Sequence, residues 1–359
     1  MSTFLDVLED VTKRGTKIPF NQYLPNGKYP IIDQGQNKVA GYTDQEEGLF
    51  TEIPAIIFGD HTRIIKYVDE PCFLGADGVK LLKAKSECSN HKYLYYVLLN
   101  AKIPDTGYNR HFKWLKEIDI PIYDEKTQSN IVNELDKITY LINKRKIQLE
   151  KLDELVKARF VELFGDPVGN TKNLPKKTLP ELGELGRGVS KHRPRNAPEL
   201  LGGKYPLIQT GEVANAELYI TSYENTYSEI GFKQSKMWDA GTLCITIAAN
   251  IAKTAILTFD ACFPDSVVGF NANEQTNNIF IHYWFSFFQA ILEAQAPESA
   301  QKNINLKVLS ELEVIVPPIE EQMKFVSFVK QTDKSKVEIQ KSLEKLKLLK
   351  KALLQKYFG

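Results

Sequence analysis

The stretch GRGVSKHRPRN (186–196) holds Arg187, Lys191, His192, Arg193 and Arg195 with no acid among them, on a backbone rich in Gly and Pro. Cationic heads on such a loop neutralise phosphate, and a bidentate Arg can read a guanine edge. A weaker counterpart stands near the start, where TKRGTK (12–17) supplies Lys13, Arg14 and Lys17. A second cluster, GYNRHFKW (107–114), sets Arg110, His111 and Lys113 among aromatics, and ESAQKNIN (298–305) answers it with Gln301, Lys302 and Asn303. The amides of Gln34, Gln36, Asn37, Gln209 and Asn250 could pair with adenine edges. A turn after the apolar run of IFGDHTR (57–63) would expose Arg63. Taken singly, each of these side chains equally suits a solvated surface; taken as a unit, the 187–195 loop favours nucleic-acid contact. That preference is local, because the 359-residue chain has a formal net charge of only +1.

Bond-making chemistry finds no such support. The sequence has no phosphate-binding G-x-x-x-x-G-K-[ST] loop, no dinucleotide G-x-G-x-x-G, no H-E-x-x-H and no G-x-S-x-G elbow. Asp60-His61-Thr62 could be a fragment of a nuclease or phosphatase site, but the internal repeat of the chain supplies no partner Asp/Glu-x-Lys. Cys72, Cys88, Cys244 and Cys262 lie far apart without a CxxC pair, so they read as buried reduced thiols rather than metal ligands or a disulfide framework. We expect no catalytic residue, no metal and no cofactor in this chain. Without an apolar run near 18 residues or a leader-like N-terminus, the expectation is a soluble, cytoplasmic protein.

The elements that would carry these loops come in two copies. Sliding the chain by 194 residues sets Ala158 on Ala352, Phe164 on Phe358 and Gly165 on Gly359, and further upstream Gln128 on Gln322. LKEIDIPIYDEKTQ (115–128) therefore answers LSELEVIVPPIEEQ (309–322). KYPIIDQG (28–35) answers KYPLIQTG (204–211) at an offset of 176, so the second copy carries a net insertion of 18 residues. Runs such as AIIFGD, RIIKYVD, VKLLKA, GTLCITIAA and TAILTF predict strands, while HKYLYYVLLN and FIHYWFSFFQAIL predict short buried helices. Each copy is thus a mixed α/β domain.

A long helix follows each domain. Gln128 to Leu163 lacks Pro and Gly, and its apolar stripe runs through Leu135, Ile138, Ile142, Leu149, Leu152, Val156 and Leu163, interrupted by Arg145 and Arg159. Such a helix would be roughly 50 Å long. Its counterpart, from about Glu320 to Phe358, keeps Val329, Ile339, Leu343, Leu346, Leu353 and Tyr357 but puts Thr332 and Lys336 on the seam. The fold class expected is α/β (α+β): two similar mixed domains, each followed by a long helix, the helices packing as an antiparallel coiled-coil spacer with pseudo-twofold symmetry. Two diverged domains on a stiff spacer suit duplex DNA, whose groove faces recur about every 34–36 Å. A protein-interaction scaffold is the competing reading, and a stand-alone nuclease a remoter one.

The paired domains, YPII…G early in each copy, SAQKNI before the last strand and VPPIEEQ leading into the second helix together resemble the specificity subunit of type I restriction-modification systems. The first copy departs from that pattern, lacking the double Pro and having GYNRHFKW in place of SAQKNI. The resemblance implies target-recognition domains at 1–123 and 166–318 and spacer helices at 124–165 and 319–359. It implies a non-catalytic, sequence-specific DNA-binding subunit that recognises a bipartite, asymmetric duplex site. Two modification subunits would be recruited to methylate adenine N6 with S-adenosylmethionine, and restriction subunits would use ATP and Mg.

Overall fold

The structure is a computed structural model that describes residues 1–75, 77–85, 88–248, 250–295 and 304–359. The chain divides into two compact units, Met1–Ile147 with Ile339–Gly359, and Gln148–Glu338. Each unit therefore draws helix from both copies of the repeat.

In the first unit the chain runs through β1 (Ser2–Thr3), α1 (Phe4–Val7), β2 (Leu8–Asp10), β3 (Tyr29–Ile32), β4 (Gly41–Thr43), β5 (Ala55–Gly59), β6 (Ile65–Val68), β7 (Phe73–Leu74), β8 (Val79–Ala84), α2 (His91–Leu99), α3 (Phe112–Leu115) and β9 (Asp119–Ile120). Helix α4 (Glu125–Phe164) begins here. The main sheet has the order β2-β8-β5-β6, and a smaller one the order β4-β3-β7, with β3 and β7 parallel. Every residue of β5 is buried, as its unbroken apolar run requires of a strand covered on both faces.

The second unit repeats this plan with β10 (Lys176–Thr178), α5 (Leu179–Leu182), β11 (Gly183–Arg187), β12 (Leu201–Leu207), α6 (Thr210–Asn215), β13 (Tyr219–Ile220), β14 (Asn225–Tyr227), α7 (Glu229–Lys233), β15 (Met237–Trp238), β16 (Leu243–Thr246), β17 (Thr254–Leu257), β18 (Ala261–Cys262), β19 (Val267–Ala272), α8 (Asn278–Gln295), α9 (Leu306–Ser310) and β20 (Glu313–Ile315). Helix α10 (Ile319–Phe358) follows. Its sheets have the orders β11-β19-β16-β17-β13 and β14-β12-β18-β15. Equivalent details mark the equivalent places. The Thr3 amide donates to Asp6 at 2.8 Å, and the Thr178 amide to Glu181 at 2.7 Å, each securing the first turn of its short helix. Leu8 faces Ala84 across one sheet and Gly183 faces Ala272 across the other, so β8 and β19 correspond at an offset of 188 residues.

The repeated Phe-Gly now has a physical reason. In the first unit, Ile131, Leu135 and Ile138 of α4 share a buried cluster with Tyr93, Leu94 and Tyr96 of α2 and with Leu353 of α10. The Phe358 ring closes it, edge-on to Tyr93 at 5.6 Å. In the second unit, Val156, Phe160 and Phe164 of α4 pack with Phe280 and Trp284 of α8 and with Phe325, Val326 and Val329 of α10. Phe164 lies 5.2 Å from Phe280 and 5.8 Å from Phe325, both edge-on. Each copy's helix thus ends in the core of the other copy's domain. The apolar stripe differs from the expected one at this end: Phe160 and Phe164 are buried, while Leu163 is only partly so.

In the second unit the helix segments run antiparallel, Asp153 meeting Lys336 while Phe164 meets Phe325, and in the first Glu134 meets Tyr357. Thr332 and Lys336 are buried on the seam, where Thr332 donates to the Phe328 carbonyl at 3.0 Å and Lys336 pairs with Asp153 and Glu217. The repeated Gln near the start of each helix does one job twice. Gln128 Nε2 donates to the Tyr123 carbonyl at 2.7 Å, and Gln322 Nε2 to the Pro317 carbonyl at 2.9 Å. Both fasten the strand-to-helix turn by a carbonyl that no helical N–H reaches.

Candidate nucleic-acid interface

In the first unit the loops at the end of β5 and β3 interlock. Only Gly fits at position 59, where a Cβ would sit 2.2 Å from Thr62 Oγ1 and 2.8 Å from Gln34 Cβ. Gln34 donates to the Asp77 carbonyl at 3.1 Å and accepts from the His61 amide at 3.2 Å, and Thr62 Oγ1 donates to its backbone carbonyl at 2.7 Å. Asp60 is buried and works as an anchor: its Oδ1 accepts from the Phe112 amide and its carbonyl from the His111 amide, both at 2.7 Å. His111 is fully buried, its Nδ1 3.0 Å from that same carbonyl. It shapes the 105–113 loop from within.

The outer face of this loop carries the exposed chemistry. The Tyr108 ring, 87% exposed, stacks on His61 with centroids 4.6 Å apart and planes within 8°. His61 Nδ1 lies 3.1 Å from the Asn109 carbonyl. Arg63 adopts φ +62° and donates to Asp105 at 2.7 Å. The Gly107 amide and the Arg63 guanidinium hold the Asp105 carboxyl below the usual carboxylate range. Lys113 lies over the Trp114 ring at 4.1 Å, and Arg110 is exposed. Lys13, Gln36 and Asn37 are exposed as well, and the Asn37 carbonyl accepts from buried Lys66 at 2.5 Å. Burial lowers the Lys66 pKa in spite of the Asp33 carboxylate beside it. Arg14 is paired with Glu9 and Glu52, and Lys17 lies 3.6 Å from Asp77.

In the second unit the basic loop is tethered rather than free. The Gly188 amide donates to the Val267 carbonyl at 2.9 Å, and the His192 amide to Gln234 Oε1 at 2.9 Å, with the Lys191 amide on the same oxygen. Arg187, Arg193 and Arg195 converge on Asp265. The Lys191 head is exposed, and His192 Nε2 lies 4.0 Å from Glu199. Gln209 is exposed at the start of α6, its amide donating to Glu212 at 3.2 Å, and Asn250 is exposed in the turn between β16 and β17. Gln301, Lys302 and Asn303 lie outside the described residues.

The structure thus gathers Gln34, Arg63, Arg110 and His111 around one turn, and Arg187, Arg193 and Arg195 around one aspartate, Arg193 and Arg195 at its carboxylate and Arg187 at its backbone carbonyl. Asp77, Asp265, Tyr108 and Gln234 were missed by sequence reasoning. The two aspartates could have been found by carrying the repeat to its 188-residue offset, which superimposes them. Among the described residues no group of three or more His, Cys, Asp or Glu could hold a metal ion. All four cysteines are buried, and burial pushes the Cys72 thiol up to about 12. No described helix is long and apolar enough to cross a membrane.

Comparison with known proteins assigns this arrangement. The type I restriction-modification DNA specificity domain matches residues 3–151 and again 173–350. A Methanocaldococcus jannaschii protein bearing the name of a type I restriction enzyme specificity subunit is 23% identical over 324 residues, spanning 86% of this chain and 73% of its own. The crystal structure of the S subunit of a type I system from M. genitalium shares the fold with a TM-score of 0.59 and 17% identity, over 99% of this chain and 95% of that one. A structure from work on complex assembly and conformational transition of the type I system gives 0.56 and 16%, over 100% and 95%. This chain belongs to the type I restriction-modification DNA specificity family, and its place in such a system is that of the non-catalytic DNA specificity subunit.

Proposed function

We propose that this subunit reads a bipartite, asymmetric duplex site, residues 1–123 reading one half and residues 166–318 the other. What carries the reading is one fold built twice with different loops: the loop after β2 holds Lys13, Arg14 and Lys17 in one unit, and the end of β11 and the loop after it hold Arg187, Lys191, Arg193 and Arg195 in the other. Different loops on one scaffold mean different half-sites. Lys13, Gln36, Asn37, Arg110, Lys113, Lys191, Gln209 and Asn250 are exposed and suit direct contact, and Arg187 and Arg195 are also exposed. Helices α4 and α10, of 40 residues each and so about 60 Å long, would fix the unread gap. In cytoplasm, two modification subunits would use S-adenosylmethionine to methylate a flipped adenine, and restriction subunits would use ATP and Mg; this chain holds none of these cofactors itself.

Methylation mapping of a host genome with and without the chain tests the reading. The expected result is one bipartite motif that disappears with the chain. Replacing residues 176–318 by those of a relative should change one half only, and inserting four residues near Asn143 should lengthen the gap. An unchanged motif after the domain exchange would refute the assignment of one half-site to each domain.

A further inference from the structure

Three guanidinium groups of the second unit meet one aspartate, two at its carboxylate and one at its backbone carbonyl. Arg193 Nη2 donates to Asp265 Oδ2 at 3.2 Å, the Arg195 guanidinium pairs with Oδ1, and Arg187 Nε donates to the Asp265 carbonyl. Arg193 Nη1 also donates to the Ser190 carbonyl at 2.6 Å and the His192 carbonyl at 2.8 Å. Arg193 is therefore consumed as a brace inside its own loop. Arg187 is held through one N–H, on the Asp265 backbone carbonyl, and Arg195 by its ion pair with Oδ1, and both side chains are exposed.

The acid is not an accident of one loop. Asp265 stands in the turn before β19, two residues ahead of Val267. At the 188-residue offset fixed by the sheet register, the first unit has Asp77 two residues ahead of Val79, in the turn before β8. There Lys17, on the loop after β2, lies 3.6 Å from the Asp77 carboxylate. Both units thus set an aspartate at the same place in the fold, against the basic loop that follows the same strand.

Mobile arginines would bind any duplex through its phosphates, with an affinity set by their number rather than by sequence. Bidentate recognition of a base requires a guanidinium plane that is already fixed. Resting on the DNA-recognition reading above, we propose that Asp265 is a positioning and specificity-determining residue. Its carboxylate holds Arg195, beside the Arg193 brace, in the orientation that reads base edges of the second half-site and withholds it from indiscriminate phosphate binding. Asp77 occupies the equivalent place beside Lys17 in the first unit, with its carboxylate fully exposed.

The test compares wild type, Asp265→Asn and Asp265→Glu, each produced with its modification subunits. Genome methylation mapping reads the motif, and the purified complexes are titrated against a random-sequence 40-bp duplex at several salt concentrations. Asp265→Asn is expected to relax at least one base of one half-site, lowering discrimination there about tenfold, while the other half stays sharp. Binding to the random duplex should strengthen, with a salt slope steeper by about one for each further phosphate neutralised. Asp265→Glu, which keeps the charge, should restore part of the discrimination. Two results would overturn the proposal: a half-site as sharp in Asp265→Asn as in wild type, or a uniform fall of methylation at all sites with both halves still sharp, which is what a brace of the fold alone would give. Absence of any bipartite motif in wild type would instead refute the DNA-recognition reading on which this rests.

Discussion

Phe164→Ala should unfold the second unit far more readily than Phe358→Ala unfolds the first, although the two residues are the same letter of the same repeat. Phe164 is 1% exposed and touches the rings of Phe160, Phe280 and Phe325, with centroids 5.0, 5.2 and 5.8 Å away. Truncation removes on the order of 150 Å² of buried apolar surface, which at about 25 cal/mol per Å² is about 4 kcal/mol. The surrounding rings cannot collapse into the space, so the cost should stay within the roughly 3–5 kcal/mol found for buried Phe→Ala. Phe358 is only partly buried and has two ring neighbours, Tyr93 at 5.6 Å and Tyr357 at 6.2 Å. Its loss should cost about half as much, because water already covers part of it. Urea unfolding followed by Trp fluorescence is a suitable assay, since Trp238 and Trp284 report on the second unit and Trp114 on the first. Equal midpoint shifts for the two variants, or a Phe164→Ala cost under about 1 kcal/mol, would refute the claim that the helix end is a core element.

Gln322→Ala should destabilise by roughly 2–4 kcal/mol, because it removes a fully buried side chain that partners the Pro317 and Gln275 carbonyls and Thr276 Oγ1; thermal unfolding checks it. Lys336→Met should be neutral within about 1 kcal/mol, since Asp153 and Glu217, its partners, are more than half exposed and can be solvated without it; a large loss would show the ion pair to be needed. Burial, with Lys336 nearby, depresses the His282 pKa from 6.5 to about 4, against the Thr254 hydrogen bond that raises it. The unfolded chain therefore takes up a proton first, and stability is full above about pH 6.5, is lost as the pH falls toward 4, and by then is down on the order of 3 kcal/mol. His282→Gln should flatten that part of the pH–stability curve; an unaltered acid limb would contradict it.

The two-copy plan, the paired strands and the long helices were legible in the sequence because each leaves a periodic or repeated trace: buried β5 reads as AIIFG, and Gln128 and Gln322 register on one offset. The exchange of helix ends was not legible. A repeat shows that Phe164 and Phe358 are equivalent, but not that each sits in the other copy's domain, since that depends on which surfaces remain open once the chain turns back. The site was legible by composition and not by geometry. His111 looked like an exposed cation among aromatics, yet Asp60, 51 residues away, holds it in the interior. The arginines of the 187–195 loop looked unopposed because their acid, Asp265, is at least 70 residues distant in sequence.

The sockets for Phe164 and Phe358 also set a rule for inheritance. The surface loops proposed to meet DNA can drift without touching these sockets, whereas Phe280 and Tyr93 must go on accepting an aromatic that is encoded in the opposite half of the gene. A recognition domain borrowed from a relative will be accepted only if it brings a helix face that fits the resident Phe. Compatibility of parts, more than the choice of target, should govern which new combinations of halves survive.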